Sequence, residues 1–189
     1  MIKFNLPIFK IRASSASRIL TTPDSYLMDW ALNTNFSSKY TEKGIFCEDE
    51  AIKFLSKLDG VNYKKNKRHY QDAFMTGSPD IKTDEYIIDT KCSWSIPSFN
   101  KQKTLTKAYW WQLQVYMHLL KIPVGFVKFV GIDTPIRLLT PDDVIADHQF
   151  SHLPDEERVI TFRVDYDPKS IEELKVAVLN CRGLIKKKF

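Results

Sequence analysis

The run Tyr86-Ile87-Ile88-Asp89-Thr90-Lys91-Cys92 constrains this chain most tightly, because it sets two charges directly against a β-branched, strand-forming stretch. Side chains alternate across a strand, so Ile87, Asp89 and Lys91 share one face while Ile88 and Thr90 take the other. Upstream, the turn Gly77-Ser78-Pro79-Asp80 ends a preceding strand, and Lys82-Thr83-Asp84-Glu85 makes the connection. A hairpin of that length brings Asp80 beside Asp89. Two like charges held so close repel, and burial strengthens the repulsion. A hard divalent cation resolves it, since such ions take carboxylate oxygens and water. One Asp at a turn, or one Lys on an edge strand, is usually solvated surface. The combined pattern points instead to a metal site.

Two helical segments carry further polar residues in apolar surroundings. From Gly44 to Leu58, the residues Ile45, Cys47, Ala51, Ile52, Phe54, Leu55 and Leu58 form one face at helical spacing, with Asp49, Glu50, Lys53, Ser56 and Lys57 opposite. Glu48 falls inside the apolar arc. An unpaired carboxylate there costs several kcal/mol, so it needs a partner. That partner is a buried Arg, a backbone amide or the same metal site, and the contrast with the ordinary surface acid Glu50 favours the metal site. From Leu105 to Leu120, Gln112 lies among Leu105, Ala108, Val115, Tyr116 and Leu119. A Gln in an apolar stripe must hydrogen-bond something: a sheet edge, a bound phosphate or Lys91.

Glu48 in Gly44-Ile-Phe-Cys-Glu48-Asp-Glu-Ala51, Gly77-Ser-Pro-Asp80, Asp89-Thr-Lys91-Cys92 and Tyr109-Trp-Trp-Gln112-Leu-Gln114 form an ordered set. The set resembles the PD-(D/E)XK nuclease superfamily, and more closely the viral recombination exonucleases typified by lambda exonuclease. Ile11-Arg-Ala-Ser14 is similar to that group's helix-opening serine motif, so the likeness runs from about Ile11 to about Phe129. The resemblance implies a restriction-endonuclease-like core, and a role for each matching residue. Asp80 and Asp89 ligate one or two Mg2+ ions (Mn2+ substituting), with the Thr90 carbonyl as a backbone ligand. Glu48 completes the shell directly or through water. Lys91 orients and helps deprotonate the attacking water, Gln112 positions the lysine or the phosphate, and Ser14 holds a phosphate downstream. The sequence departs from the pattern in carrying Asp89 where the lambda type usually has Glu, one methylene shorter. Arg12 or Arg18 is the candidate substitute for the arginine that type carries upstream of the serine.

The implied activity is metal-dependent exonucleolytic hydrolysis of linear double-stranded DNA in phage-type recombination or DNA processing. The implied partners are DNA with a free end and a single-strand annealing protein, with a ring-forming homo-oligomer as the candidate assembly. A structure- or site-specific endonuclease on the same core and an inactive DNA-binding module stay open. All four expected polar positions are filled, whereas an inactive copy usually loses at least one.

The length of 189 residues suits one domain, 1–189, with a real core. No apolar run approaches the ~20 residues of a membrane span, and no secretory signal opens the chain. Cys47, Cys92 and Cys181 are odd in number and widely spaced. They argue for a reducing compartment and against a disulfide framework, a four-cysteine zinc site or a cysteine-held iron–sulfur cluster. The expected location is cytoplasmic, in the bacterial host if the chain is phage-encoded. A net charge of +5 fits a polyanionic partner. Of the basic clusters, Lys64-Lys65-Asn66-Lys67-Arg68 and Lys186-Lys187-Lys188 read as solvated faces. Lys101, Lys103 and Lys107 link the charged strand to the Gln112 helix and are placed for phosphate contacts. Trp94, which follows the strand, is the aromatic candidate for stacking on a base, although tryptophans are core by default.

The expected elements are helices at Ser14 to Leu20 with a serine cap, Pro23 to Leu32, Gly44 to Leu58 and Leu105 to Leu120, and a last helix from Asp167-Pro168 to about Leu184. The expected strands are Val61 to Tyr70, Ala73 to Thr76, Tyr86 to Cys92, Val124 to Val130 and Val159 to Val164. Residues 131–154 show only a turn of helix near Pro141 to Ala146. This order predicts an α/β chain of the α+β type, a central mixed β-sheet flanked by helices.

Overall fold

The computed structural model describes residues 8–34 and 37–188. Along the chain it forms β1 (Ile11–Arg12), α1 (Ala16–Thr21), α2 (Pro23–Ala31), α3 (Lys39–Asp59), β2 (Tyr70–Gln71), β3 (Met75–Gly77), β4 (Ile81–Lys82) and β5 (Tyr86–Cys92). It continues with α4 (Ile96–Asn100), α5 (Lys107–Leu120), β6 (Val124–Val130), β7 (Val159–Asp165) and α6 (Pro168–Lys188). The strands form two mixed sheets. One runs β4-β5-β6-β7, with β5 and β6 parallel and the outer pairs antiparallel. The other runs β1-β3-β2.

The alternation expected of β5 is realised. Ile88 packs with Ile52 of α3 and Ile81 of β4 on one side. Ile87 joins the main core with Leu113 of α5 on the other. Gly125 of β6 allows that approach, since a Cβ there would lie 3.2 Å from Leu113 and 3.3 Å from Ile87. The hairpin register sets Ile81 opposite Ile88. The chain leaves the sheet one residue earlier, at Asp80, so strand pairing on that edge of β5 stops before Thr90.

Several expectations need correction. The Val61 to Tyr70 stretch is not a strand: only Lys65 bridges to Ile81, and pairing resumes at Tyr70. Its lysines offer no apolar alternation, and Asn66 bonds a turn instead. Ala73 to Thr76 shifts to Met75–Gly77 because the Asp72 carboxylate accepts from the Phe74 and Met75 amides and holds a turn there. Ser14 and Ser15 cap nothing; Ala13–Ser15 is a 3-10 turn before α1. Helix α3 begins at Lys39, where Ser38 accepts from the Thr41 amide at 3.2 Å. On that helix Ile45 is 71% exposed, outside the core expected for it. The short elements β1, β4 and α4 lie below the length at which periodicity shows. Residues 131–154 hold 3-10 turns at Ile136–Leu138, Ile145–His148 and Phe150–His152. Among the described residues no helix is long and apolar enough to cross a membrane.

Candidate active site

Four elements bring their polar residues to one cavity of about 610 Å³: α3 supplies Glu48, the β3–β4 turn Asp80, β5 Asp89, Thr90 and Lys91, and α5 Gln112. Asp89 is 2% exposed. Its Oδ2 lies 2.6 Å from Lys91 Nζ, a buried, charge-assisted ion pair. Its Oδ1 accepts from Gln112 Nε2 at 3.1 Å, and the same nitrogen donates to the Tyr116 hydroxyl at 2.9 Å. Gln112 therefore grips the strand acid, a partner outside the sheet edge, phosphate and lysine expected for it.

Asp80 Oδ2 accepts from the Thr90 amide at 2.6 Å and the Thr90 hydroxyl at 2.7 Å. The carboxylate thus takes the amide left free where β4 ends. Glu48 Oε1 meets Lys65 Nζ at 3.2 Å. Lys91 Nζ also stands 4.9 Å from the Tyr109 ring centroid.

Burial pushes the Asp89 carboxyl up to about 6, with Lys91 opposing and Asp80 and Glu48 adding to the rise. Glu48 is raised by burial and then by the Asp80 charge. Burial draws the Lys91 ammonium down, but Asp89 and Asp80 override it and leave it above its usual value. The Asp80 charge thus disfavours the ionised forms of Glu48 and Asp89, and the Lys91 ammonium opposes it at Asp89.

The donor set fits a hard divalent ion: three carboxylates line a cavity with room for water, and the charge of one raises the other two. Among the described residues no three His, Cys, Asp or Glu side chains are gathered into a ready cage. Each carboxylate is turned to its own partner: Glu48 to Lys65, Asp80 to Thr90, Asp89 to Lys91 and Gln112. Magnesium keeps several waters and needs only one or two protein carboxylates.

The other candidates divide. Ser14 and Trp94 line the same cavity. The Trp94 ring is boxed by Tyr40 and His148, each with its centroid at 5.2 Å, and by Lys39 Nζ at 4.6 Å. Arg12 and Arg18 line an adjoining cavity of about 900 Å³ that shares Ser14. Arg18 is tied to Asp29 at 2.6 Å. Lys101, Lys103 and Lys107 are exposed, outside the wall that Ser98, Gln102 and Ala108 supply.

Sequence reasoning missed Lys65 and Lys43. Lys43 is fully buried and donates to the Ser93 and Trp94 carbonyls and to Thr134 Oγ1. It ties α3 to the loop after β5. Its signal was there: Lys43 stands one turn before Cys47 and two before Ala51, on the buried stripe.

No protein-family model matches the chain, and no curated protein does. Among solved structures it is similar to a phage-related exonuclease from Haemophilus somnus 129PT. The two share 29% identity over 98% of this chain and 99% of that one, with a TM-score of 0.85. Two structures of the alkaline exonuclease LHK-Exo from Laribacter hongkongensis, one in complex with dAMP, share 17% and 19% identity. Each covers 95% of this chain and 89% of its own, with a TM-score of 0.69. Fold, ordered motifs and structural neighbours agree: the chain has the PD-(D/E)XK nuclease fold in its lambda-exonuclease-like form.

Proposed function

We propose that this protein is a metal-dependent deoxyribonuclease that degrades linear double-stranded DNA from an end, in phage-type recombination or DNA processing. The observation that carries the reading is the convergence of Glu48, Asp80, Asp89 and Lys91 on one cavity. The exonuclease neighbours support it, and the net positive charge suits a DNA partner.

In this reading Asp80 and Asp89 hold Mg2+ (or Mn2+), with the Thr90 carbonyl and Glu48 completing the shell. The ion supplies Lewis-acid stabilisation of phosphoryl charge and a more acidic water. Lys91, kept as an ammonium beside Asp89, orients the nucleophilic water and offsets charge on the phosphate. Gln112 fixes Asp89 through one amide hydrogen and Tyr116 through the other, so the acid keeps its rotamer when the ion enters. Ser14 holds a phosphate further along the strand, and Arg12, Trp94, Lys101, Lys103 and Lys107 border the duplex. A ring of copies, a single-strand annealing partner and a cytoplasmic site of action belong to the same reading.

The test is digestion of end-labelled linear duplex beside supercoiled plasmid, with Mg2+ and with chelator. Mg2+-dependent loss of the linear DNA alone supports it. Nicking of closed circles replaces it with an endonuclease, and binding without cleavage replaces it with a DNA-binding module. Lys91→Ala should abolish turnover and leave DNA binding nearly intact; retained turnover removes Lys91 from the mechanism.

A further inference from the structure

The basic run at 64–68 reads from sequence as a solvated face, but two of its members grip the site. Lys65 Nζ lies 3.2 Å from Glu48 Oε1 and 2.7 Å from Asp49 Oδ1. Its backbone pairs with Ile81. The next residue donates its amide to the Asp80 carbonyl at 2.7 Å and its side-chain Nδ2 to the Pro79 carbonyl at 2.9 Å. The ammonium is thus delivered from a segment pinned to the turn that presents Asp80. The two acids it bridges are consecutive on α3 and unlike in setting. The Glu48 side chain is 24% exposed and faces the cavity, whereas the Asp49 side chain is 70% exposed and lies outside it.

We propose that Lys65 is a positioning residue that holds the Glu48 carboxylate before metal binds and releases it to the cation, with Asp49 as the anchor that keeps Lys65 afterwards. The shorter of its two contacts is already the one to Asp49, so letting go of Glu48 leaves Lys65 paired. Glu48 would then be free to take a divalent ion, whose charge would disfavour the ammonium beside it. Lys65 thereby competes with metal, and Asp49 weakens that competition. This role rests on the metal site proposed above.

The test is calorimetric titration of the DNA-free protein with Mn2+ at low salt. Lys65→Met removes a neighbouring positive charge and the rival for Glu48, so the Mn2+ dissociation constant should fall about three- to tenfold. Lys65→Arg should stay near wild type. Asp49→Asn leaves Lys65 with Glu48 alone, and the constant should rise about threefold. In the Lys65→Met background Asp49→Asn should have little further effect, because Asp49 acts through Lys65. If Lys65 were merely a prop for Glu48, Lys65→Met would bind Mn2+ more weakly; that result, or no change, overturns the proposal. An equal Asp49→Asn effect in both backgrounds overturns the anchor. Wild-type protein with no Mn2+ uptake dependent on Asp89 overturns the metal site itself, and a bound wild type with unaltered Lys65→Met overturns only Lys65. Thermal unfolding of each variant checks the fold, and the Lys65 side chain, 37% exposed, tolerates replacement.

Discussion

In the metal-free protein Asp89→Asn should gain stability on wild type as pH rises from 4 to 7, while removing the metal site proposed above. Burial raises the Asp89 carboxyl to about 6, against about 3.9 in an unfolded chain. Between those values the folded protein keeps the proton that the unfolded chain has lost. Stability therefore falls as pH rises through this window, the reverse of a salt-bridged surface acid. The shift of about two pKa units corresponds to about 3 kcal/mol, most of it lost between pH 4 and pH 7. Asparagine keeps the shape and still accepts from Gln112, but does not ionise. Loss of the Asp89 charge beside buried Lys91 lowers the stability of the variant as a whole, so the comparison reads the change with pH and not the absolute difference. The assay is urea unfolding of both proteins in EDTA from pH 4 to pH 7, followed by tryptophan fluorescence. The stability of Asp89→Asn relative to wild type should climb by about 2–3 kcal/mol over that range. In saturating Mg2+ wild type should gain on Asp89→Asn at pH 7, by about 2.7 kcal/mol at a hundredfold excess over Kd. A difference that stays flat with pH in EDTA would refute the claim that burial raises the Asp89 carboxyl.

Other tests address the support of the site. A Cβ on Gly77 would lie 2.6 Å from Tyr116 Cε1 and 2.9 Å from Ala13 Cβ. Gly77→Ala should cost about 1–3 kcal/mol in thermal unfolding, and displacing Tyr116 should also lower cleavage of linear duplex. The buried Lys43 ammonium is drawn down to about 8, first by desolvation. The fold carries this charge below pH 8 and is relieved of it above, so wild type should gain on Lys43→Met by up to about 1.4 kcal/mol per pH unit from pH 8 toward 10 in urea unfolding. Replacing Lys101, Lys103 and Lys107 by Gln should flatten the salt dependence of DNA binding, by about one unit of log–log slope for each phosphate no longer neutralised. An unchanged slope in filter binding places the duplex elsewhere.

The strand that carries Asp89 and Lys91 was legible because its signals are local. Tyr86–Cys92 and Val124–Val130 have strand chemistry and clear stops, and alternation alone put Asp89 with Lys91 and apart from Thr90. The hairpin length was enough to set Asp80 against β5. Glu48 and Gln112 stood out as polar residues at core spacing, and both reach the cavity. What escaped was either too short for periodicity, such as β1, β4 and α4, or bonded through side chains to distant segments. Lys65 and Asn66 read as one more charge run, yet their partners are Glu48, Asp49, Pro79 and Asp80. The Thr134 and His148 donors that fix the Trp94 carbonyl come from residues 131–154, where patterning showed only a turn of helix.

By itself, then, the sequence determined which residues are unlike their surroundings, since a charge in an apolar stripe is visible wherever the period is. Only the tertiary structure decided what each of those charges faces. Glu48 meets Lys65, Asp80 caps the free amide of Thr90, and Gln112 bonds Asp89 and Tyr116. Such pairings depend on where separate segments are brought together in space, and no local pattern in the chain encodes that.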